Sequence, residues 1–275
     1  MPIEPSLIAE LAALGLLIGF VAGLLGIGGA MLIVPFVSIM LEARNVPAGL
    51  AMKMAIATSM ATIIFTSISS VRAHRKRGAV SWRMVRGLAP GIVLGSMIAS
   101  LGLFAILKGS TLALVFGVFV WFSATQMVLA TRPPPNWHVP GTAGLLGAGG
   151  VIGLLAGLVG GGGAFVSVPF MTWCNVPIHR AIGTSAALGF PIALANVTGF
   201  VLAGQSANNL PPYSFGYVWI PALVAIASCS VLMAPLGARA AHLLPISKMQ
   251  RVFAGALYLL GAYMIYKGLR TTGFL

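Results

Sequence analysis

The chain has 275 residues, of which 59% are hydrophobic and only 7% are charged, with a mean hydropathy of +1.01. A water-soluble domain needs roughly a quarter of its residues charged to cover its surface, so this composition excludes an ordinary soluble protein. A net charge of +13 would favour nucleic-acid binding in a soluble chain. Here we interpret the cations as loop charges that orient membrane helices and meet anionic lipid headgroups. We expect the bilayer as a partner and no nucleic acid.

Long uncharged stretches predict membrane-spanning helices, because a span needs about 20 mostly apolar residues. Lipid offers no hydrogen-bond partners to the backbone, so the N–H and C=O groups of a span must pair within its own helix. The first predicted element is a glycine-interrupted segment at about 7–41, followed by helices at about 49–71, 82–106 and 110–131. A second glycine-interrupted segment follows at about 141–174, with helices at about 180–203, 215–238 and 248–267. No alternating pattern of barrel strands is present. We therefore expect an all-α integral membrane protein.

The chain contains two similar halves. The segment GFVAGLLGIGGAMLIVPF at 19–36 is matched by GLLAGLVGGGGAFVSVPF at 153–170. In both halves an Asn-Val-Pro triplet follows, and then the sequence Ala-Ile-Ala-Thr-Ser or Ala-Ile-Gly-Thr-Ser. We expect two transmembrane repeats, residues 1–135 and 136–275, joined by a stiff proline-rich link.

Lysine and arginine are distributed oppositely in the two repeats. The loop at 72–86 carries six cations, and its counterpart at 204–214 carries none. If each glycine-broken element enters and leaves on one side, with the N-terminus outside, eleven Lys and Arg lie inside and five outside. Eight plain crossings give only nine against seven. The positive-inside rule therefore favours inverted repeats, whose first elements are either re-entrant or cross twice in a short hairpin.

The two glycine breaks are the first candidates for a substrate site. Inverted repeats with broken helices are typical of transporters, which bind substrate near the membrane midplane. A broken helix exposes backbone N–H groups, and the positive end of a helix suits an anion. Close helix packing is the alternative, and it explains Gly19 and Gly153 better than a run of glycines. The candidate substrate-binding glycines are Gly26, Gly28 and Gly29 in the first repeat and Gly160, Gly161, Gly162 and Gly163 in the second.

Hydroxyl and amide side chains inside the spans are the second candidates. The pairs Thr58-Ser59 and Thr184-Ser185 recur at the same place in both repeats and could donate hydrogen bonds to an oxyanion. Asn196 could bind substrate as well. The alternative for each hydroxyl is a hydrogen bond to its own helix one turn back, and Asn196 could simply join helices.

Three cations lie near the start of the helix that follows each break: Lys53 in the first repeat and His179 and Arg180 in the second. They could attract an anion toward the site. The alternative is that they extend to the membrane interface, as lysine and arginine do at helix ends.

Several absences narrow the class of function. The three acids are Glu4, Glu10 and Glu42, so no span carries a central carboxylate of the kind that marks cation and proton pathways. The two cysteines, Cys174 and Cys229, have no metal or redox spacing. Nucleotide-binding and hydrolase motifs are also missing. We expect no enzymatic activity, no cofactor and no metal, and transport driven by a substrate or ion gradient.

The paired motif GLLGIGGAMLIVPF and GLVGGGGAFVSVPF, each followed by Val-Pro and then a Thr-Ser pair, resembles the TauE/SafE family of membrane permeases. The resemblance covers essentially the whole chain. It implies export of sulfite or of organosulfur anions such as sulfonates, with the glycines and Thr-Ser pairs above at the site and Pro35 and Pro169 in structural roles. Ala30 stands where the family commonly has a third consecutive glycine, which suggests unequal half-sites.

We therefore predict a multi-pass secondary transporter in a plasma membrane, specifically a bacterial inner membrane, that exports small sulfur anions by alternating access. Two alternatives stay open: a permease for another small anion or sulfur metabolite, and a membrane scaffold that transports nothing. The expected partners are a small anionic substrate and the bilayer, and a homodimer is left open.

Overall fold

The computed structural model describes residues 5–25, 29–129, 138–207, 209–240 and 246–272. Within these ranges the chain is almost entirely helical, and seven helices are long and apolar enough to cross a membrane. The all-α membrane class predicted from the sequence is confirmed. Large apolar side chains on the outside, such as Ile106 and Leu259, suit contact with lipid.

The helices follow the same order in both repeats. The first repeat contains α1 (Pro5–Leu25), α2 (Ala30–Glu42), α3 (Ala48–Lys76), α4 (Trp82–Met97), a π-helical segment (Ile98–Leu103), α5 (Phe104–Ile106) and α6 (Gly109–Leu129). The second contains α7 (Thr142–Val159), α8 (Ala164–Trp173), α9 (Ile178–Gly204), strands β1 (Ser214–Phe215) and β2 (Val218–Trp219), α10 (Ile220–Ala240) and α11 (Ile246–Thr272).

The Asn-Val-Pro triplets form the turns that lead from α2 into α3 and from α8 into α9. Asn45 has φ +64° and Asn175 has φ +61°, a left-handed conformation that asparagine tolerates well. The next residue in each turn, Val46 or Val176, donates its N–H to a carbonyl five residues back, which closes the preceding helix. The proline that follows, Pro47 or Pro177, occupies the N-cap position of α3 or α9. The repeated sequence therefore encodes a repeated turn.

Glycines bring α1 against α10 and α7 against α4. A Cβ atom added at Gly19 would lie 2.5 Å from Ser230 Cα, and one added at Gly153 would lie 2.2 Å from the Ile92 carbonyl oxygen. Only a hydrogen atom fits at either position. In each pair, residues later in one helix contact residues later in the other. Helix α1 therefore runs parallel to α10, and α7 runs parallel to α4. The packing alternative considered for these two glycines is confirmed.

The remaining long helices also pair across the repeats. The central pair is α3 with α9, where Gly189 lies against Ser67 and Ile63. The pair α6 with α11 is antiparallel, since Trp121 contacts Tyr258 and Gly268 contacts Leu114. Each half therefore folds largely against the other rather than as a separate bundle.

Helix directions define two ends of the molecule, which we call face A and face B. At face A α1 starts and α2 ends, because Arg44, just after α2, forms an ion pair with Glu10 at 3.1 Å. Glu42 and Lys267 also pair at face A, which places the end of α11 there. At face B the loop between α3 and α4 contacts the start of α9, where a Cβ added at Gly183 would lie 2.2 Å from the Ala79 carbonyl oxygen.

The structure corrects one expected helix boundary. Residues 215–219 were expected to begin a helix, but they belong to a two-stranded antiparallel hairpin in which Ser214 pairs with Trp219. Gly216 has φ +56° and Tyr213 has φ +64°, values that a helix does not contain. The boundary between the repeats at 135 and 136 falls in residues 130–137, outside the described residues.

Candidate functional site

The second glycine break is a tight turn between α7 and α8. Gly160 has φ +71° and ends α7, and Gly163 has φ +72° and precedes α8. Gly161 donates its N–H to the Ala156 carbonyl oxygen at 3.3 Å, which closes the helix in the way left-handed glycine caps do. Positions 160 and 163 favour glycine, because residues with a Cβ atom adopt this left-handed backbone conformation only at a cost in free energy.

This break lies deep in the membrane. Helix α8 has 10 residues, which corresponds to about 15 Å at 1.5 Å per residue. It runs from the break back to the turn at Asn175, at the face from which α7 started. The hydrocarbon core of a bilayer is about 30 Å thick, so α8 covers about half of that distance.

The start of α8 presents unpaired backbone donors. No residue in the described part of the chain accepts a hydrogen bond from the backbone N–H groups of Gly162, Gly163, Ala164 or Phe165. At Gly162 an added Cβ would make only ordinary van der Waals contact, with Ile63 Cγ2 at 3.7 Å. Such a helix start carries about half a positive charge and can bind an anion.

Ser59 connects the two broken elements. Its hydroxyl lies 3.0 Å from the carbonyl oxygen of Gly160 and 3.5 Å from that of Ala30, the first residue of α2. Gly29, the residue before α2, packs against Ile18 and its carbonyl accepts from Leu32 and Ile33. The candidates Gly26 and Gly28 lie outside the described residues. The start of α2 and the end of α7 therefore both approach Ser59 in the interior of the protein.

A second hydroxyl pair lies behind the start of α8. The Oγ atoms of Ser185 and Ser167 are 2.8 Å apart, and both side chains are buried. Ser167 was not among the candidates from the sequence. Comparison of the two repeats does not identify Ser167, because Ile33 occupies the equivalent position in α2. A lone serine two residues before Pro169 in an otherwise apolar segment was the available signal.

The two threonines have partners other than those expected. Thr58 Oγ1 accepts the Trp219 N–H at 3.0 Å, and Thr184 Oγ1 accepts the Ser81 N–H at 2.9 Å. Both threonines are fully buried. In this structure their oxygens therefore join the two halves.

The three basic candidates, Lys53, His179 and Arg180, lie in the first turns of α3 and α9. The Lys53 ammonium group donates to the Ala105 carbonyl oxygen at 3.3 Å and lies over the rings of Phe104 and Tyr217. His179 and Arg180 are exposed at the start of α9. No charged side chain of the described residues contacts the α8 start, so neutral donors make up the site.

The other candidates are structural in this conformation. Asn196 is fully buried, donates to the Ile192 carbonyl oxygen at 2.8 Å and packs against Gly157, while its Oδ1 has no described partner. Pro35 and Pro169 lie inside α2 and α8, where each removes a backbone N–H and bends the short helix. No cluster of metal-ligating side chains occurs in the described ranges.

Comparison with known proteins identifies the family. The profile of the sulfite exporter TauE/SafE family matches residues 11–264, so the chain belongs to this family of membrane transporters. A probable membrane transporter protein of Haemophilus influenzae is 37% identical over 92% of this chain and 96% of its own length. Probable membrane transporter proteins of Methanocaldococcus jannaschii and Bacillus subtilis are 23% and 26% identical, each over 94% of this chain and at least 96% of their own lengths. No solved structure matches the chain.

Proposed function

We propose that this multi-pass membrane transporter exports small sulfur-containing anions, such as sulfite or organosulfonates, across a bacterial inner membrane. The observation that carries the proposal is the start of α8, where no described residue accepts a hydrogen bond from four consecutive backbone N–H groups. Neutral donors in a water-poor environment bind a small oxyanion through hydrogen bonds and the helix dipole. The family name, sulfite exporter, supports sulfur oxyanions as the substrate class.

We further propose that transport proceeds by alternating access of two inverted repeats. The pairing of α1 with α10 and of α7 with α4 supports this arrangement, because equivalent helices exchange partners and each pair is parallel. The ion pair of Glu10 with Arg44 supports first elements that return to the face they entered. The central site would then be exposed to each face in turn.

The first test is the melting temperature of the detergent-solubilised protein with sulfite, sulfate, thiosulfate, taurine, sulfoacetate, chloride and phosphate. A ligand that binds only the folded state, at a hundred times its dissociation constant, adds about 2.7 kcal/mol of stability. We expect a shift with sulfur anions. Absence of a shift with every anion would contradict the proposal, and a shift with chloride or phosphate alone would redirect it to another anion.

Substitution of Gly162 locates the binding site. In Gly162→Leu a bulky side chain fills the space beside Ile63, and we expect the anion-induced shift to disappear while the protein still folds. Gly147→Leu in α7 is the matched control, because a Cβ there meets no atom within 4 Å. A shift that persists in Gly162→Leu would exclude the α8 start as the site. Flux of the bound anion into liposomes then tests transport.

A further inference from the structure

The hydrogen bonds of Thr58 and Thr184 form a matched pair. Each threonine belongs to one repeat and accepts the N–H of the residue immediately before a helix of the other repeat: Trp219 before α10 and Ser81 before α4. A threonine inside a membrane helix commonly bonds to its own helix one turn back, as Thr66 and Thr198 do here. The two buried oxygens instead satisfy donors that a helix start leaves without an intrahelical partner.

The two bonds lie toward opposite faces. Thr58 lies little more than one turn beyond Lys53, which contacts Ala105 and Tyr217 at face A. Thr184 follows Gly183, which packs on the Ala79 carbonyl at face B. The hydrogen bond between α3 and the start of α10 therefore lies toward face A. The hydrogen bond between α9 and the start of α4 lies toward face B.

Each bond is supported by a further contact of its own. At face A the Lys53 ammonium group lies 5.7 Å from the centre of the Tyr217 ring, and burial raises the pKa of the Tyr217 hydroxyl, which keeps the ring neutral. At face B the absence of a side chain at Gly183 lets the backbone of the α3–α4 loop approach α9.

We propose that Thr58 and Thr184 are the latches of the two gates, and that the transporter releases one at a time to open one face. The Thr58–Trp219 bond holds face A closed, and the Thr184–Ser81 bond holds face B closed. The inference rests on the proposed alternating access. It assigns these threonines as positioning residues that select which face opens, instead of groups that bind the anion.

Thr58→Val and Thr184→Val test the latches, because valine keeps the shape of threonine and removes the acceptor. The reporter is Ile63→Cys beside Gly162, in protein whose Cys174 and Cys229 are replaced by alanine. Labelling by a membrane-impermeant maleimide is measured from each face in oriented vesicles. We expect Thr58→Val to increase labelling from face A and Thr184→Val from face B, each by roughly tenfold for a lost buried hydrogen bond.

Controls separate a latch from general destabilisation. Thr66→Val and Thr198→Val remove hydroxyls that bond within their own helices, and they should leave labelling unchanged. Thr58→Ser and Thr184→Ser keep the acceptor and should restore the labelling of the unmodified reporter protein. Equal labelling of both valine variants from both faces, or no change in either, would overturn the proposal.

A second measurement keeps the test decisive if a valine variant does not fold. After the Ile63→Cys protein is labelled from face A, hydrogen exchange should speed up at the Trp219 amide and stay slow at the Ser81 amide. Equal exchange at both would contradict alternation. None of these measurements needs a substrate, so failure of the latches and failure of the proposed anion site give different results.

Discussion

The Ser59 hydroxyl donates to the carbonyl oxygen of Gly160, so a helix of the first repeat supports the break of the second. Gly160 has left the helical backbone pattern, and its carbonyl needs a donor from another element. The same hydroxyl also lies 3.5 Å from the carbonyl oxygen of Ala30, at the start of α2. One buried side chain therefore fixes how the two broken elements approach each other.

Ser59→Ala should lower both stability and transport. The change leaves the buried Gly160 carbonyl without its donor, which costs about 1–3 kcal/mol. Thermal unfolding in detergent measures the loss. Ser123→Ala is the control, because Ser123 is equally buried but bonds to Phe119 in its own helix. Equal melting temperatures for the two variants would show that Ser59 has no special role in positioning the break.

Hydropathy and charge were sufficient to predict the spans. The expected helix at 82–106 matches α4 through α5, because its uncharged stretch at 87–106 is long enough to span and has only one stable form in lipid. Hydropathy does not distinguish a short apolar strand from a helix, which is why 215–219 was assigned wrongly. Hydropathy also does not predict the π-helical segment at 98–103, where Ser100 packs closely against Gly199 of another helix.

The contacts of the candidate residues could be predicted only in part, because a sequence repeat reveals shared positions and not their partners. Gly160 and Gly163 adopt the left-handed backbone conformation that only glycine adopts readily. The N–H groups bound by Thr58 and Thr184 come from the opposite repeat, at separations of 161 and 103 residues. No local pattern encodes such a contact. Ser167 was not predicted, because comparison of the two repeats identifies only residues that occur in both.

The proposed inverted arrangement predicts from which side of the membrane a cysteine in each loop can be labelled. Single cysteines in place of Arg75 and Arg270, in protein without Cys174 and Cys229, should react with an impermeant maleimide from opposite sides. Arg75 lies at the end of α3 and Arg270 near the end of α11, at faces B and A. The positive-inside rule places the Arg75 position in the cytoplasm. Labelling of both positions from the same side would contradict the inversion.

The ion pair of Glu42 with Lys267 should be important for stability. The Lys267 side chain is only 10% exposed and also donates to the buried Ser38 hydroxyl at 2.8 Å. Glu42→Gln leaves a nearly buried cation without its counter-charge. Loss of one partner of a fully buried pair costs about 3–5 kcal/mol, and partial exposure of Glu42 makes the expected loss smaller.

The double variant Glu42→Gln with Lys267→Met distinguishes a pairing effect from loss of packing. It removes both charges, so it should recover a large part of the melting temperature lost in Glu42→Gln. A double variant no more stable than the single one would show that the two charges are not coupled. Glu10→Gln is the matched comparison, because Glu10 is 55% exposed in its pair with Arg44, and exposed pairs contribute about 0–1 kcal/mol.

Neighbouring glycines of the second break should respond differently to alanine. Gly163 has φ +72°, and a Cβ there would lie 2.7 Å from Ile192 Cδ1. Gly163→Ala therefore forces a left-handed alanine, at about 1–2 kcal/mol, and displaces Ile192. Gly161 has no positive φ, and the nearest atom to an added Cβ is 4.0 Å away. Gly161→Ala should fold normally, with stability changed by less than about 1 kcal/mol.

Melting temperature and anion binding must both be measured in these two variants. The turn geometry affects the stability of the protein, whereas ligand access affects the anion-induced shift. If the turn geometry matters, Gly163→Ala loses stability whether or not an anion is present. If the space beside Gly161 and Gly162 admits the anion, Gly161→Ala keeps its melting temperature but shows a smaller anion-induced shift. A Gly163→Ala protein as stable as the unmodified one would mean that the break does not require its left-handed turn.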